Sequence, residues 1–216
     1  MKKRQKQIYI TITLLIVAIL YTLAVKNFDV DSVGPLSSEV GFARLNDWFH
    51  NIFDYNDFWY KLTKYLGLVP FLICAIYGLV GILQITKRKS LLKVDKRLVF
   101  LGIFYVVVLI TYVAFNKIVI NYRPVLEDGA LEASFPSSHT MMAVCICLSS
   151  LLISKFYIKK DKRKIFDIIT WILMIVLVFG RTLSGVHWLT DIIGGVIFAS
   201  FLVSLYYCFI VEEEEE

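Results

Sequence analysis

Six long apolar segments, separated by charged connections, constrain this chain more than any other feature of its sequence. The segments span residues 8–25, 65–85, 98–116, 140–153, 165–180 and 192–211. A bilayer core of about 30 Å requires roughly 20 helical residues. The first, second, third and sixth segments meet this length, whereas the fourth and fifth are shorter, as expected of helices that meet a polar site at membrane depth. The sequence therefore predicts an all-α, polytopic membrane protein with six transmembrane helices.

Composition agrees with one membrane domain spanning residues 1–216. Hydrophobic residues make up 58% of the chain, charged residues 19%, and the mean hydropathy is +0.69. We divide this domain into 1–64 (first helix and outer segment), 65–211 (five further helices) and 212–216, an acidic run interpreted as a solvated tail or an added tag. The net charge of +5 lies beside the apolar segments, which argues against nucleic-acid binding. Four cysteines lie inside apolar runs and are predicted to be buried, unpaired residues: Cys74, Cys145, Cys147 and Cys208.

The distribution of Lys and Arg predicts the orientation in the membrane. Most of the 23 basic residues lie in three stretches, 2–6, 87–97 and 155–164. Connections rich in Lys and Arg stay in the cytoplasm. Six spans then place both termini inside, in a multi-pass protein of the cell membrane, and the remaining connections on the extracytoplasmic side.

The first outer connection, 26–64, carries apolar residues at helical spacing, followed by aromatic residues. They are Leu45, Trp48, Phe49, Ile52 and Phe53, then Trp59, Tyr60 and Tyr65. This pattern predicts an interfacial amphipathic helix with an aromatic belt. It is either a surface anchor or a lid that guides lipid. His50 lies on its polar side and is predicted to be solvated.

Three polar clusters interrupt the predicted outer face, each at the end of a span. The first runs from Lys117 to Arg123-Pro124, the second contains Pro136-Ser137-Ser138-His139, and the third contains Arg181, His187 and Asp191. Charged and ionisable groups beside hydrocarbon are costly unless they serve one another or a ligand. Their occurrence on one side of the membrane predicts a single site.

The spacing within the third cluster indicates a nucleophile. His187 and Asp191 are four residues apart and therefore share one helical face. The carboxylate would hold one imidazole nitrogen as a donor and leave the other as a free lone pair. Arg181 precedes His187 across a glycine-containing stretch, and a guanidinium can fork two phosphate oxygens.

The second cluster indicates a helix start and a proton donor. Ser137 and Ser138 precede an apolar run, which is typical of an N-cap. The free amides of a first helical turn favour anions such as phosphate. His139 would project from that turn into the same space and could protonate a leaving alkoxide.

At these positions the sequence resembles the type 2 phosphatidic acid phosphatase family, which is related to vanadium haloperoxidases. Arg123-Pro124 matches the end of its first motif, Pro136-Ser137 with His139 matches its Pro-Ser-Gly-His motif, and Arg181, His187 and Asp191 match the third motif at the family spacing.

This resemblance implies a six-helix core and a metal-independent, two-step reaction without a cofactor. His187 would attack phosphorus, oriented by Asp191, and form a phosphohistidine. His139 would protonate the leaving group and then activate water. Arg123, Arg181 and Ser137 would hold the phosphoryl oxygens.

Three positions depart from the family pattern. Asn116 occupies the position of the family lysine, and Lys117 lies one residue closer to Arg123. On a helix, this one-residue shift turns the Lys117 side chain about 100° away from the direction of position 116. We keep Lys117 as a candidate phosphate ligand. Ser138 replaces the family glycine and could add a hydroxyl donor, whereas Gly180 replaces a serine and removes one.

The sequence therefore predicts hydrolysis of a lipid-linked phosphate or diphosphate at the outer face of a bacterial-type membrane. Candidate substrates are undecaprenyl diphosphate, phosphatidylglycerol phosphate and phosphatidic acid. One alternative is a lipid phosphotransferase with the same intermediate, and another is a non-catalytic lipid-phosphate binder or transporter, which the altered first motif favours. A vanadate haloperoxidase is disfavoured because the chain is embedded in a membrane.

Overall fold

Eight α-helices make up the computed structural model of the protein, which describes residues 3–127 and 129–212. The helices are α1 (Lys3–Asn27), α2 (Ala43–Ile52), α3 (Asp57–Leu66), α4 (Leu68–Arg88), α5 (Lys96–Lys117), α6 (Ser138–Tyr157), α7 (Lys160–Leu183) and α8 (Leu189–Glu212). Two 3-10 turns and three isolated β-bridges complete the regular structure of the described residues, which form no β-strand. The protein is therefore all-helical, as predicted.

Six stretches are long and apolar enough to cross a membrane, which confirms the predicted number of spans. They are Lys3–Asn27, Asp57–Arg88, Lys96–Lys117, Ser138–Tyr157, Lys160–Leu183 and Leu189–Val211. The expectation that the fourth and fifth helices are short was wrong, because α6 has 20 residues and α7 has 24. Both helices continue into polar and basic residues beyond their apolar runs, and a segment drawn from hydropathy alone does not include those residues. Of the predicted acidic tail, only residue 212 falls within the described part of the chain.

Helix α6 occupies the centre of the bundle. It packs against α4, α5, α7 and α8, and 61% of its most apolar stretch is buried, compared with 11–22% for the first three spans. Small side chains such as Ala143, Cys145 and Cys147 are buried along it and permit close helix approach. The large apolar side chains exposed on α1, α4 and α5 are suited to contact lipid acyl chains. All four cysteines are free, and Cys74 and Cys208 are only half-buried.

Polar side chains join α1 to α8 inside the predicted membrane region. The Gln7 amide donates to Ser204 Oγ over 2.8 Å, and the hydroxyls of Thr11 and Ser204 are also 2.8 Å apart. Nearer the site, the hydroxyl of Tyr21 donates to the carbonyl of Thr190 over 3.1 Å. Such hydrogen bonds between helices satisfy polar groups for which lipid acyl chains offer no partner.

The predicted amphipathic helix of the outer connection is α2, and a second helix that the sequence did not predict, α3, follows it. Residues 53–56 separate α2 from α3, because the side chain of Asn56 accepts from the Trp59 amide and caps a new helix. Helix α3 then continues into α4, with Gly67 between them. The break between α2 and α3 therefore depends on the cap formed by Asn56, which the spacing of apolar residues does not reveal.

Helix α2 is attached to α8 through a buried amide. Asn46 donates to the Gly41 carbonyl over 2.7 Å and to Thr190 Oγ1 over 2.9 Å, and it accepts from the Thr190 amide over 3.2 Å. On the same helix, His50 is half-buried with its ring edge-on to that of Trp188, at a centroid distance of 5.4 Å. The expectation of a merely solvated His50 was therefore wrong, because this face of α2 packs on the protein.

Candidate active site

The three polar clusters meet at one end of the helical bundle. Residues 118–137 lead from α5 into the start of α6, and residues 184–188 lead from α7 into the start of α8. Within the longer connection, antiparallel bridges pair Tyr122 with Ala133 and Glu127 with Ala130. This hairpin-like turn brings the first cluster back to the second.

His187 lies in the short connection before α8, and its side chain is almost wholly buried. Gly185 permits this turn, since its φ is +65° and a Cβ there would lie 2.6 Å from the backbone of Asp54. His187 Nε2 is buried and has no hydrogen-bond partner among the described residues. The described part of the protein therefore does not use that nitrogen to hold the ring.

The opposite ring nitrogen of His187 does not contact Asp191 directly. Nδ1 lies 3.9 Å from Asp191 Oδ2, too far for a hydrogen bond, and 3.3 Å from Ser134 Oγ. The hydroxyl of Ser134 donates to Asp191 Oδ2 at close range. Helical spacing correctly brought His187 and Asp191 together, but a serine lies between them.

Asp191 is fully buried and accepts from three groups. Besides Ser134, the amide of Trp188 donates to Oδ2 over 3.0 Å, and the side chain of Asn121 donates to Oδ1 over 3.3 Å. Asn121 also accepts from the Gly41 amide over 3.1 Å, which links this carboxylate to the outer connection. Sequence reasoning missed Ser134 and Asn121, and only their proximity in sequence to the two motifs could have indicated them.

Two arginines approach the site from different elements. Arg181, on α7, is 2% exposed. Its guanidinium lies 5.4 Å from the centre of the Tyr60 ring and donates to Thr63 Oγ1 over 3.5 Å. Arg123, in the hairpin-like turn, is 9% exposed. The Nε atoms of both arginines have no partner in the described structure, so each keeps a donor for a ligand.

Two carboxylates already contact Arg123. Its Nη1 forms a short ion pair with Glu127, and its Nη2 lies 3.3 Å from Glu132 Oε2. The hydroxyl of Tyr60 donates to Glu127 over 3.0 Å. Burial alone would raise the pKa of Glu127, but the guanidiniums of Arg123 and Arg181 and the bond from Tyr60 together lower it below its ordinary value.

The charged groups of this region affect the pKa of His187. Burial is the main cause that lowers the pKa of His187 well below its ordinary value, followed by the positive charges of Arg181 and Arg123 and by His139. A neutral imidazole is therefore favoured at neutral pH. An unprotonated ring nitrogen is the form that can attack an electrophile.

His139 is the second residue of α6, and its side chain is exposed to a cavity of about 290 Å³. Arg181 and Ser138 line the same cavity. Its other walls are mainly apolar and come from α3 to α7; they include Pro70, Phe71, Leu109 and Leu177. The cavity thus joins the polar groups of the site to surfaces suited to hydrocarbon.

The two serines of the second cluster differ in their surroundings. Ser137 occupies the N-cap position of α6, but its hydroxyl donates to Thr140 Oγ1 over 3.1 Å rather than to a ligand. Its amide donates to the Asp191 carbonyl over 2.9 Å. Ser138 borders the apolar cavity and also a second cavity of about 290 Å³.

The predicted lysine ligand lies at the margin of the site. Lys117 is exposed at the end of α5 and lines neither cavity in the part of the chain that the structure describes. Asn116 does line the second cavity, together with Arg123, Glu132 and Ser134. Position 116, where the family has its lysine, thus faces the second cavity, whereas Lys117 does not.

Gly180 is required by close packing against α3. A Cβ at this position would lie 2.7 Å from Thr63 Cγ2 and 3.1 Å from the ring of Trp59. The close approach of α3 therefore leaves no room at position 180 for the side chain of the family serine. Among the described residues, no group of three or more His, Cys, Asp or Glu side chains is arranged to hold a metal ion.

Comparisons with known proteins show the family and the fold of this chain. A family model described as the PAP2 superfamily matches residues 101–215. Among solved structures, a transmembrane PAP2 type phosphatidylglycerolphosphate phosphatase from Bacillus subtilis matches with a TM-score of 0.62 and 18% sequence identity, covering 94% of this chain and 96% of the other. The TM-score and the coverage show that the two proteins share a fold. A search of curated proteins gives no significant match.

Proposed function

The chain belongs to the PAP2 superfamily, and from that premise we propose that it is a membrane lipid phosphatase that acts through a phosphohistidine. The observation that carries this proposal is the buried, unpartnered Nε2 of His187 beside two arginines with free Nε donors. A nucleophile that is held from its far side and lies within the influence of two arginine charges is suited to attack a phosphate.

The proposed reaction has two steps. In the first, His187 Nε2 bonds to phosphorus while the bond from phosphorus to the lipid oxygen breaks, and that oxygen takes a proton from His139. In the second, water attacks phosphorus and gives a proton to His139, and the bond to His187 breaks. Inorganic phosphate is released, and both histidines return to their starting states.

Charge on the transferred phosphoryl group would be held by Arg123 and Arg181. Both side chains are nearly buried, which strengthens their attraction for an anion. Ser138 and the first-turn amides of α6 provide further donors at the edge of both cavities. In this scheme the charge is balanced by guanidiniums, and we propose that no metal ion takes part.

A lipid substrate is supported by the apolar cavity beside His139. Its walls belong to helices that are apolar enough to cross a membrane. A phosphate at the polar end would leave a hydrocarbon chain along residues such as Phe71 and Leu109, which are half exposed on the outer surface of the bundle. Phosphatidylglycerol phosphate, polyprenyl diphosphate and phosphatidic acid all have this form.

We also propose that the site faces the extracytoplasmic side and that both termini are cytoplasmic. The basic connections 87–97 and 155–164 lie at the ends of α4 and α6, which are opposite to the ends that carry the site. The positive-inside rule then assigns the site to the outer face. Accessibility of single cysteines to an impermeant reagent, introduced in those connections of a cysteine-free variant, tests this orientation.

The test of the function is release of inorganic phosphate from these three lipids in detergent, with a chelator present. We expect release by the wild type, and a loss of about 1,000-fold or more in His187→Ala. Release that requires an added metal ion would contradict the metal-independent scheme, and full activity of His187→Ala would contradict the nucleophile. Analysis of the products separates hydrolysis from transfer to a lipid hydroxyl.

A further inference from the structure

A serine lies between the candidate nucleophile and the carboxylate that orients it. Ser134 is 2% exposed, its Oγ lies 3.3 Å from His187 Nδ1, and its hydroxyl donates to Asp191. Because Nδ1 and Oδ2 are 3.9 Å apart, they form no direct hydrogen bond, and this hydroxyl is the hydrogen-bonding group that bridges the carboxylate and the imidazole.

The direction of each hydrogen bond follows from the donors around Asp191. The amide of Trp188 and the side-chain NH₂ of Asn121 can only donate, so Asp191 accepts from both. With two N–H groups already donating to it, we take the carboxylate of Asp191 to be ionised, and Ser134 then donates to it as well. A hydroxyl carries one hydrogen, and that of Ser134 is therefore committed to Asp191.

The remaining contact then fixes the tautomer of the imidazole. With its hydrogen directed at Asp191, Ser134 can only accept from His187, and Nδ1 must carry a proton to donate to it. A neutral imidazole protonated on Nδ1 has its lone pair on Nε2. This is the nitrogen that the structure leaves buried and without a partner.

We propose that Ser134 is a positioning residue, which relays the orienting effect of Asp191 to His187 and fixes Nε2 as the nucleophilic nitrogen. This inference rests on the proposed phosphatase function. No proton crosses the serine during the reaction: Nδ1 keeps its hydrogen while the bond between Nε2 and phosphorus forms and breaks. Ser134 acts by holding the ring and its tautomer, and by stabilising the positive charge that the ring gains.

The experiment compares Ser134→Ala with the wild type and with a matched control, Ser150→Ala. Ser150 is equally buried, lies in α6 and bonds only to the Cys147 carbonyl through its hydroxyl. We expect kcat to fall about 10- to 100-fold in Ser134→Ala, with KM within about twofold of the wild type. The control should keep both constants.

A double-mutant cycle separates a relay from a merely structural role. If Ser134 acts through Asp191, Ser134→Ala should reduce kcat by no more than about threefold in an Asp191→Asn background. Independent roles would instead multiply the two losses. Ser134→Cys, which is nearly isosteric and has a weaker donor, serves in the same cycle if Ser134→Ala does not fold.

Two kinds of failure remain distinguishable. A wild type without phosphatase activity, or an active His187→Ala variant, would overturn the proposed function. A wild type whose activity depends on His187, together with a folded Ser134→Ala variant of normal kcat or with multiplying losses, would overturn the relay alone.

Discussion

The carboxylate of Glu127 forms an ion pair with the guanidinium of Arg123, inside the group of residues proposed to bind phosphate. Tyr60 donates to the same carboxylate, and the charges of Arg123 and Arg181 lower its pKa. Glu127 is therefore ionised at neutral pH. A substrate phosphate must compete with this internal anion for Arg123.

Replacing Glu127 with Gln should strengthen the binding of anions. The amide has a similar shape but no charge, so Nη1 of Arg123 would be released for the ligand, while Nη2 would stay beside Glu132. We expect KM for a lipid phosphate, and the inhibition constant of inorganic phosphate, to fall roughly three- to tenfold. Steady-state kinetics measure both constants, and Asp57→Asn, which removes an exposed carboxylate paired with Lys61, is the control. Unchanged constants in Glu127→Gln would contradict the competition.

The protonation of His187 should occur at an unusually low pH. Burial and neighbouring positive charges lower its pKa, so the ring should stay neutral well below pH 6.5. The protein has only three histidines, so in a variant carrying His50→Gln and His139→Asn only the His187 ring titrates in an NMR experiment. A midpoint near 6.5 would contradict the buried site.

The same shift has a consequence for stability. Since the unfolded chain takes up the proton at a higher pH than the folded protein, the unfolded state is favoured as pH falls below about 6.5. The contribution of His187 to stability is present above that pH and is lost on acidification. We expect the melting temperature in detergent to fall less on acidification in His187→Asn than in the wild type.

Introducing the family serine at position 180 should damage the protein rather than improve it. A Cβ there would meet Thr63 Cγ2, so we expect Gly180→Ser to lower both the melting temperature and kcat. Thr63→Ser removes that methyl group but keeps the hydroxyl that Arg181 contacts. The double variant should regain part of the lost stability, and a loss that Thr63→Ser does not relieve would contradict the steric explanation.

The shifted lysine should matter less than Arg123. Lys117 lines neither cavity, so we expect Lys117→Ala to change kcat/KM by less than about threefold, whereas Arg123→Ala should reduce it about 100-fold. Asn116→Lys would add a cation to the second cavity and should lower KM several-fold. Kinetics of the three variants with one substrate test this ordering, and a loss in Lys117→Ala as large as in Arg123→Ala would contradict it.

The attachment of α2 should depend on one amide. Asn46→Ala would leave buried groups on Gly41 and Thr190 without partners, at about 1–3 kcal/mol for each group. We expect the melting temperature to fall by several degrees. Asn51 lies on the same helix but is exposed and bonds only to Asp47, so Asn51→Ala is the matched control and should melt like the wild type.

Much of this fold could be predicted from the sequence, because hydropathy directly reflects the solvent that each helix faces. The six spans and the meeting of Arg123, Arg181, His139 and His187 at one end follow from apolar length and from motif position. The i, i+4 rule correctly placed Asp191 on the face of His187. It could not show that the ring lies just before α8, where the separation opens to 3.9 Å and Ser134 fits between.

The features that sequence reasoning missed depend on contacts between distant segments. Asn46 and Thr190 are 144 residues apart, and Gly41 and Asn121 are 80 residues apart. Asn46 belongs to no motif, Asn121 lies in the first polar cluster at a position to which the motif gives no role, and a polar residue in an outer connection is ordinarily solvated. Only the folded arrangement reveals that these side chains are buried and that they support the site.

The pairing of α1 with α8 has a consequence for biogenesis. Translation supplies α1 first and α8 more than 160 residues later, so the polar groups of Gln7 and Thr11 enter the bilayer before Ser204 exists to satisfy them. Until then, the Gln7 side chain lacks its partner on α8, whereas the Thr11 hydroxyl can already donate to the Gln7 carbonyl within α1. Asp191 arrives with α8, after Asn121 and Ser134, which donate to it, so the site is complete only when this last helix has packed against the others.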